Sequence, residues 1–362
     1  MQLLRMRRAT TVGVALAATA VLAAACSSST TTAPSSGGGG STSGNLSGTL
    51  NGSGSTFQLT FQETAISSFK SVQPGMTVNY GGGGSGKGRT DLSSGVVQFA
   101  GSDSPIPSDE QSNFSGKTVL YFPVVIGPIT LSYNLSSLSK PLQLSAPVIA
   151  NIFQGKITNW DNSAIAADNP GVKLPSEPIA IAVRSDSSGT TANFTKYLQE
   201  AAGSAWTLGS SSIVKWPATA HAASGNGGVA QVIKSTPGAI GYVDYSTAKA
   251  SSLTFASIKN KDGSYVAPSP DSASAAASQA TVKPNDTFSA IWAGGATSYP
   301  ITYQSFVLVY QTQPSANDAA LLKAYIGYLL GDGQKLLPQL NYAPLPSNID
   351  QQAQAQLSKI GT

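Results

Sequence analysis

Residues 178–198, PIAIAVRSDSSGTTANFTKYL, change character twice. Ile179, Ile181 and Val183 stand in an apolar run of the kind that a buried strand needs. After Arg184 the chain turns polar, and from Ser188 a helix begins, with Phe194 and Leu198 four apart on its buried face. Strand, polar loop and helix in that order form the unit of an α/β fold. Loops at strand ends are also where open α/β sheets hold ligands. The start of such a helix offers free N–H groups and about half a positive charge, so it attracts anions. Ser188 and Thr190 add hydroxyls, Gly189 lets the backbone approach closely, and Arg184 adds a planar fork matched to an oxyanion. An ordinary Ser/Thr cap beside a surface arginine would read the same in this segment alone.

The pattern recurs outward in both directions. MTVNY (76–80), VVQFAGSD (96–103), FPVVIGPITLSYN (122–134), GAIGYVDY (238–245) and ITYQSFVLVY (301–310) are strand-like, the third with Gly127 and Pro128 in its middle. Phe57, Phe61, Ala65 and Phe69 mark one helix face, and 318–330 is amphipathic with Gly331 placed to end it. The Ala-, Ser- and Pro-rich stretch 262–285 reads as a surface segment. Three further polar loops fall at strand ends: GSGSTF (52–57), GGGGSGKG (81–88) and GSDSP (101–105). Thr56 opens a helix, as a ligand donor or as a simple cap. Ser85 lies on a backbone able to form an anion nest. Gly81, Gly86 and Lys87 fit G-x-x-x-x-G-K, but Gly88 stands where a nucleotide loop needs a hydroxyl for Mg²⁺. Asp103 suits an anion that carries a proton, because an ionised carboxylate can only accept.

The N-terminus points outside the cytoplasm. Arg5, Arg7 and Arg8 precede a short apolar run, which reads as a signal peptide over 1–25. The run ends at Cys26, the one cysteine. LAAAC resembles a bacterial lipobox, though Leu22 lies four residues before Cys26 where three is usual. A Ser/Gly/Thr-rich tether follows to residue 45. Residues 1–25 hold three of the 21 basic residues and none of the 17 acidic ones, leaving 18 against 17. Nothing in that balance suggests nucleic acid. One Cys and one His, His221 in a surface loop, offer neither a zinc site nor a Ser-His-Asp triad. No metal or cofactor is expected.

The loops, in this order, resemble the phosphate-binding proteins of bacterial phosphate ABC importers. The resemblance runs over roughly 50–345 and is most specific in NIFQGKITNW, RSDSSGT and PGAIGYV. It implies an α/β, two-lobed periplasmic-binding-protein fold with two hinge crossings and the ligand in the interlobe cleft. Lobe one would comprise 46–126 with 246–345, and lobe two 127–245, with a C-terminal tail at 346–362. It implies phosphate contacts from Thr56, the Phe57 N–H, Ser85, Asp103, Arg184, Ser188, Gly189 and Thr190, with Asp186 orienting the arginine. Gln58 departs from the family, which often has Pro there, and Lys87 is not a typical family ligand. The expected protein is a monomeric binding protein and no enzyme, lipid-anchored through Cys26 on the outer face of the cell membrane. It would deliver inorganic phosphate to an ABC permease. A protonated phosphonate as ligand and phosphate-ester hydrolysis are the alternatives.

Overall fold

The computed structural model describes residues 46–135, 138 and 140–362; the signal-like segment, Cys26 and the tether lie outside them. In chain order come β1 (Gly48–Gly54), α1 (Leu59–Val72), β2 (Met76–Gly83), α2 (Ser85–Ser93), β3 (Phe99–Ser102) and β4 (Val119–Tyr133). They are followed by β5 (Gln143–Leu144), α3 (Ala146–Phe153), α4 (Ser163–Asp168), β6 (Ala180–Arg184), α5 (Gly189–Ala201), β7 (His221–Ala223), α6 (Gly225–Ser235), β8 (Ala239–Asp244) and α7 (Tyr245–Ala250). The chain closes with β9 (Thr254–Phe255), β10 (Ser257–Lys259), β11 (Tyr265–Val266), α8 (Pro270–Ala277), β12 (Thr302–Tyr310), α9 (Ala316–Leu330) and α10 (Ser347–Gln356).

The main sheet has the order β2-β1-β3-β12-β4-β8-β6-β7, with β9 beside β4. β1 runs parallel to β2 and β3, and β6 runs parallel to β7 and β8. Each parallel set therefore lines up its carboxyl ends along one edge, where the loops of interest emerge. β4 joins the two halves of the sheet. Its residues 119–128 pair antiparallel with β12, and its residues 129–133 pair with β8. The change of partner falls at Pro128, directly after Gly127. Gly127 and Pro128 thus mark where one strand changes partner rather than a break into two strands.

Helices cover the sheet with the faces their periodicity requires. Phe61, Ala65 and Phe69 of α1 are buried, and Phe69 packs edge-on against Tyr325 of α9 at 5.3 Å between ring centres. The stretch 262–285 is less exposed than its composition suggests. Ser269 and Ser272 form a capping box with Pro270 at the first helical position, and Ala273, Ala276 and Ala277 of α8 are buried. Small alanines let that helix lie close on β4 and β12, so a low-hydrophobicity segment still has a core face. The C-terminal segment is likewise packed: α10 buries Ile349 and Ala353, and Gln356 donates to the Tyr121 carbonyl at 2.7 Å.

Candidate functional site

On one bank of the cleft three parallel strands end side by side. β1 delivers Ser55, Thr56 and Phe57 to the start of α1, β2 leads through Gly84 to Ser85, and β3 delivers Asp103. Ser85 is the first residue of α2 rather than part of a loop, so the glycine-rich stretch supplies a second helix start. Asp103 is buried. Its Oδ1 accepts from the Ser55 hydroxyl and, at 2.5 Å, from the Ser305 hydroxyl of β12. Its Oδ2 has only the Ser85 hydroxyl, at 3.4 Å. Burial pushes the Asp103 carboxyl up, and the hydroxyls of Ser305 and Ser55, the charge of Arg184 and the hydroxyl of Ser85 pull it part of the way back.

The opposite bank is built from β6, α5 and α6. Ser188 caps α5, its hydroxyl accepting from the Thr191 N–H at 3.1 Å, so the cap interpretation of this segment is correct as far as Ser188 goes. Arg184 goes further. It is 5% exposed, and its Nε donates to Asp186 Oδ1 at 2.8 Å while Nη2 donates to Oδ2. Nη1 donates to Asn226 Oδ1 at 3.1 Å and reaches Thr190 Oγ1 at 3.5 Å. A guanidinium has five N–H groups. Three are firmly engaged, which leaves about two for a ligand. Burial pushes the Asp186 carboxyl up, but the hydrogen bonds and charge of Arg184 more than offset this and hold it below its ordinary value.

The banks touch. The Gly86 N–H donates to the Ser187 carbonyl at 3.0 Å, and Asn193 Nδ2 donates to the Asp103 carbonyl at 2.7 Å. The Asn226 N–H donates to Thr56 Oγ1 at 3.3 Å. A Cβ on Gly189 would lie 2.6 Å from Asp103 Cβ and 2.8 Å from Asp103 Oδ2. Only glycine allows the start of α5 to come this close. Four helix starts, those of α1, α2, α5 and α6, therefore face one small polar space, and their N–H dipoles favour an anion there.

Of the nine predicted residues, close approaches join Ser85, Asp103 and Gly189, hydrogen bonds join Arg184 to Asp186 and Thr190, and Thr56 bonds to α6, whereas Ser188 is engaged as the cap of α5. The Phe57 N–H donates to Ser55 Oγ at 3.1 Å, and Thr56 bonds to α6 rather than capping α1. Lys87 pairs with Asp91 at 2.5 Å and is half exposed. Gly88 lies against β1: a Cβ there would sit 2.7 Å from Gly54 Cα and from the Ser53 carbonyl, so the hydroxyl residue of a nucleotide loop has no room. His221 is exposed on β7. Among the described residues no three His, Cys, Asp or Glu side chains gather as a metal would require. Ser55, Ser305, Asn193 and Asn226 were not singled out from the sequence. Each is a common polar residue whose partner lies in a distant segment.

A family model for the PBP superfamily domain matches residues 39–333. Phosphate-binding protein PstS 3 of Mycobacterium tuberculosis is 36% identical over 310 residues, spanning 82% of this chain and 83% of that protein. PstS of Pasteurella multocida is 34% identical over 318 residues, spanning 85% of this chain and 89% of its own length. Among solved structures, the phosphate-binding protein of Stenotrophomonas maltophilia superposes with a TM-score of 0.66 at 18% identity, covering 85% of this chain and 93% of that one. At that identity it speaks for the fold alone. The matches above 30% identity over more than four fifths of both chains decide the matter: the chain belongs to the PstS family of phosphate-binding proteins.

Proposed function

We propose that this protein captures inorganic phosphate in the cleft and hands it to the membrane permease of an ABC importer. One observation carries the reading: Asp103 Oδ2, poor in donors, faces the start of α5 beside Arg184. A carboxylate at an anion site is useful only if the anion brings a proton, as phosphate does near neutral pH. Thr56, the Phe57 N–H, Ser85, Ser188, Gly189 and Thr190 supply donors, Arg184 supplies charge, and Asp186 orients it. The protein is a binding protein and no enzyme, acting as a monomer.

For the lobes, strand pairing favours a division along β4 between Pro128 and Ile129, slightly later than 126/127. It favours a later return than residue 246, since β9 pairs with the lobe-two end of β4 and β10 with β5. Paired crossings make a hinge whose closure would bury the ligand. Residues 1–25 act as a signal peptide and Cys26 carries the lipid that holds the protein on the outer face of the membrane. Among the described residues no helix is long and apolar enough to cross a membrane. Incorporation of labelled palmitate tests the anchor. Native mass spectrometry of purified protein tests the ligand: an added mass of one phosphate, lost on exchange into phosphate-free buffer, is expected. A bound phosphonate or a slow release of alcohol from phosphate esters would redirect the reading.

A further inference from the structure

Behind Asp103 lies a chain of buried polar side chains that belongs to no predicted contact. The Tyr325 hydroxyl of α9 donates to Gln62 Oε1 at 2.6 Å, and Gln62 Nε2 donates to Gln58 Oε1 at 2.8 Å. Gln58 Nε2 donates to Ser305 Oγ at 2.7 Å and to the Phe306 carbonyl at 2.8 Å. Ser305 then donates to Asp103 Oδ1. Gln58, Gln62, Ser305 and Tyr325 are all fully buried.

The chain has a direction. Both amide hydrogens of Gln58 are used, one of them on Ser305, so the single Ser305 proton must point onward. Its alternative acceptor, the Ser102 carbonyl, is at 3.4 Å, against 2.5 Å for Asp103. Ser55 is fixed in the same sense. Its oxygen accepts the N–H groups of Phe57 and Gln58, at 3.1 and 3.4 Å, so its proton also points at Asp103 Oδ1. Oδ1 thus faces two hydroxyls that both point their protons at it. A proton on Oδ1 would give up both of these hydrogen bonds and force Ser305 to turn to the distant Ser102 carbonyl, and poorly matched buried polar groups are costly.

We propose that Tyr325, Gln62, Gln58 and Ser305 are positioning residues, a one-way donor relay that holds Asp103 as an ionised acceptor with Oδ2 left for the ligand's proton. The proposal rests on the phosphate reading for its use, but the relay itself can be tested without phosphate. It also gives a physical role to Gln58, which no ligand contact was expected to use. Other groups bear on the same carboxylate. Arg184 from β6 favours its charge. Asp244 at the end of β8, whose carboxyl burial pushes up to about 6, opposes it. Tyr80, Tyr303 and Tyr342 face it with hydroxyls that burial keeps neutral.

The test is a carboxyl ¹³C NMR titration of ligand-free protein labelled at aspartate, with the Asp103 signal assigned by its loss in Asp103→Asn. Ser305→Ala should raise the Asp103 midpoint by about one to two pH units, the worth of one hydrogen bond to a charged group. Gln58→Leu should raise it less, and Ser305→Thr, which keeps the hydroxyl, should restore it. In calorimetry, the pH below which phosphate affinity falls should move up in step, because a protonated Asp103 no longer accepts. A midpoint unmoved by Ser305→Ala and Gln58→Leu, even with a lower melting temperature, would reduce the relay to packing. A moved midpoint in a protein that takes up no phosphate would sink the phosphate reading and leave the relay standing.

Discussion

The two banks of the cleft hold their charged residues by opposite means. Asp103 is held by neutral donors, the hydroxyls of Ser55, Ser305 and Ser85, with amides behind them. Arg184 is gripped along one edge by a second charge, Asp186. The difference has a consequence for the whole site. One cation and two carboxylates leave it with no net positive charge, so simple attraction cannot account for binding an anion. The favourable terms must be the N–H dipoles of four helix starts, the hydroxyls, and the match between the ligand's proton and Asp103. On the proposed reading, Arg184 would act through directed hydrogen bonds more than through long-range charge.

That contrast is broken most severely at Arg184. Arg184→Ala removes about two ligand hydrogen bonds, each worth roughly 1.5 to 3 kcal/mol when charged, and it leaves Asp186 unneutralised beside the anion. Phosphate affinity should fall at least about a hundredfold by calorimetry. Near wild-type affinity would remove Arg184 from the site. The melting temperature should drop modestly, since Asp186 loses its partner but keeps the Gly225 N–H at 3.0 Å.

On the other bank the sharper measurement is selectivity. In Asp103→Asn the two outward-pointing hydroxyls of Ser55 and Ser305 require an acceptor at the Oδ1 position, so the carbonyl goes there and the amide N–H₂ takes the Oδ2 position. A donor then faces the ligand where an acceptor stood. Sulfate, which brings no proton near neutral pH, should gain. Phosphate-over-sulfate preference should narrow by at least about tenfold, in keeping with the discrimination that one mismatched buried hydrogen bond can supply. Competition of labelled phosphate against excess sulfate measures it; a mutant that excludes sulfate as strictly as wild type would move the discrimination elsewhere in the cleft.

How much of this was visible beforehand follows from where each contact originates. Arg184, Asp186, Ser188, Gly189 and Thr190 lie within seven consecutive positions, so strand, loop and helix start could be inferred together. Asp103 stood out because it contradicts its neighbours. Ser305 sits inside an apolar strand and reaches Asp103 only because β12 pairs with β3, some two hundred residues away in the chain. Asn226 follows the short exposed strand β7, which has little hydrophobic signal of its own. The buried face of α8 was missed for a related reason: alanine carries too little apolar surface to announce a core position, yet allows the closest packing. The glycine-rich stretch misled in the other direction. Glycines argue against helix, but α2 forms there, and Gly88 is what lets it lie against β1.

The smallest expected effect belongs to Asn226, and it tests whether the arginine bank acts as a unit. The Asn226 side chain accepts from Arg184 Nη1 at 3.1 Å and donates to Thr190 Oγ1 at 3.4 Å, while its backbone N–H crosses to Thr56. Asn226→Ala keeps the backbone link, and with it the contact between banks. It removes only the brace on one side of the guanidinium, whose other edge stays held by Asp186. The arginine is then less well aimed rather than lost, and phosphate affinity should weaken about threefold to tenfold, roughly 0.7 to 1.4 kcal/mol. Because Asn226 acts through Arg184, the two effects should not add: the Arg184→Ala, Asn226→Ala double variant should bind phosphate no more weakly than Arg184→Ala alone. Additive losses in that cycle would mean that Asn226 meets the ligand directly, and the bank would then hold one more contact than its orienting geometry suggests.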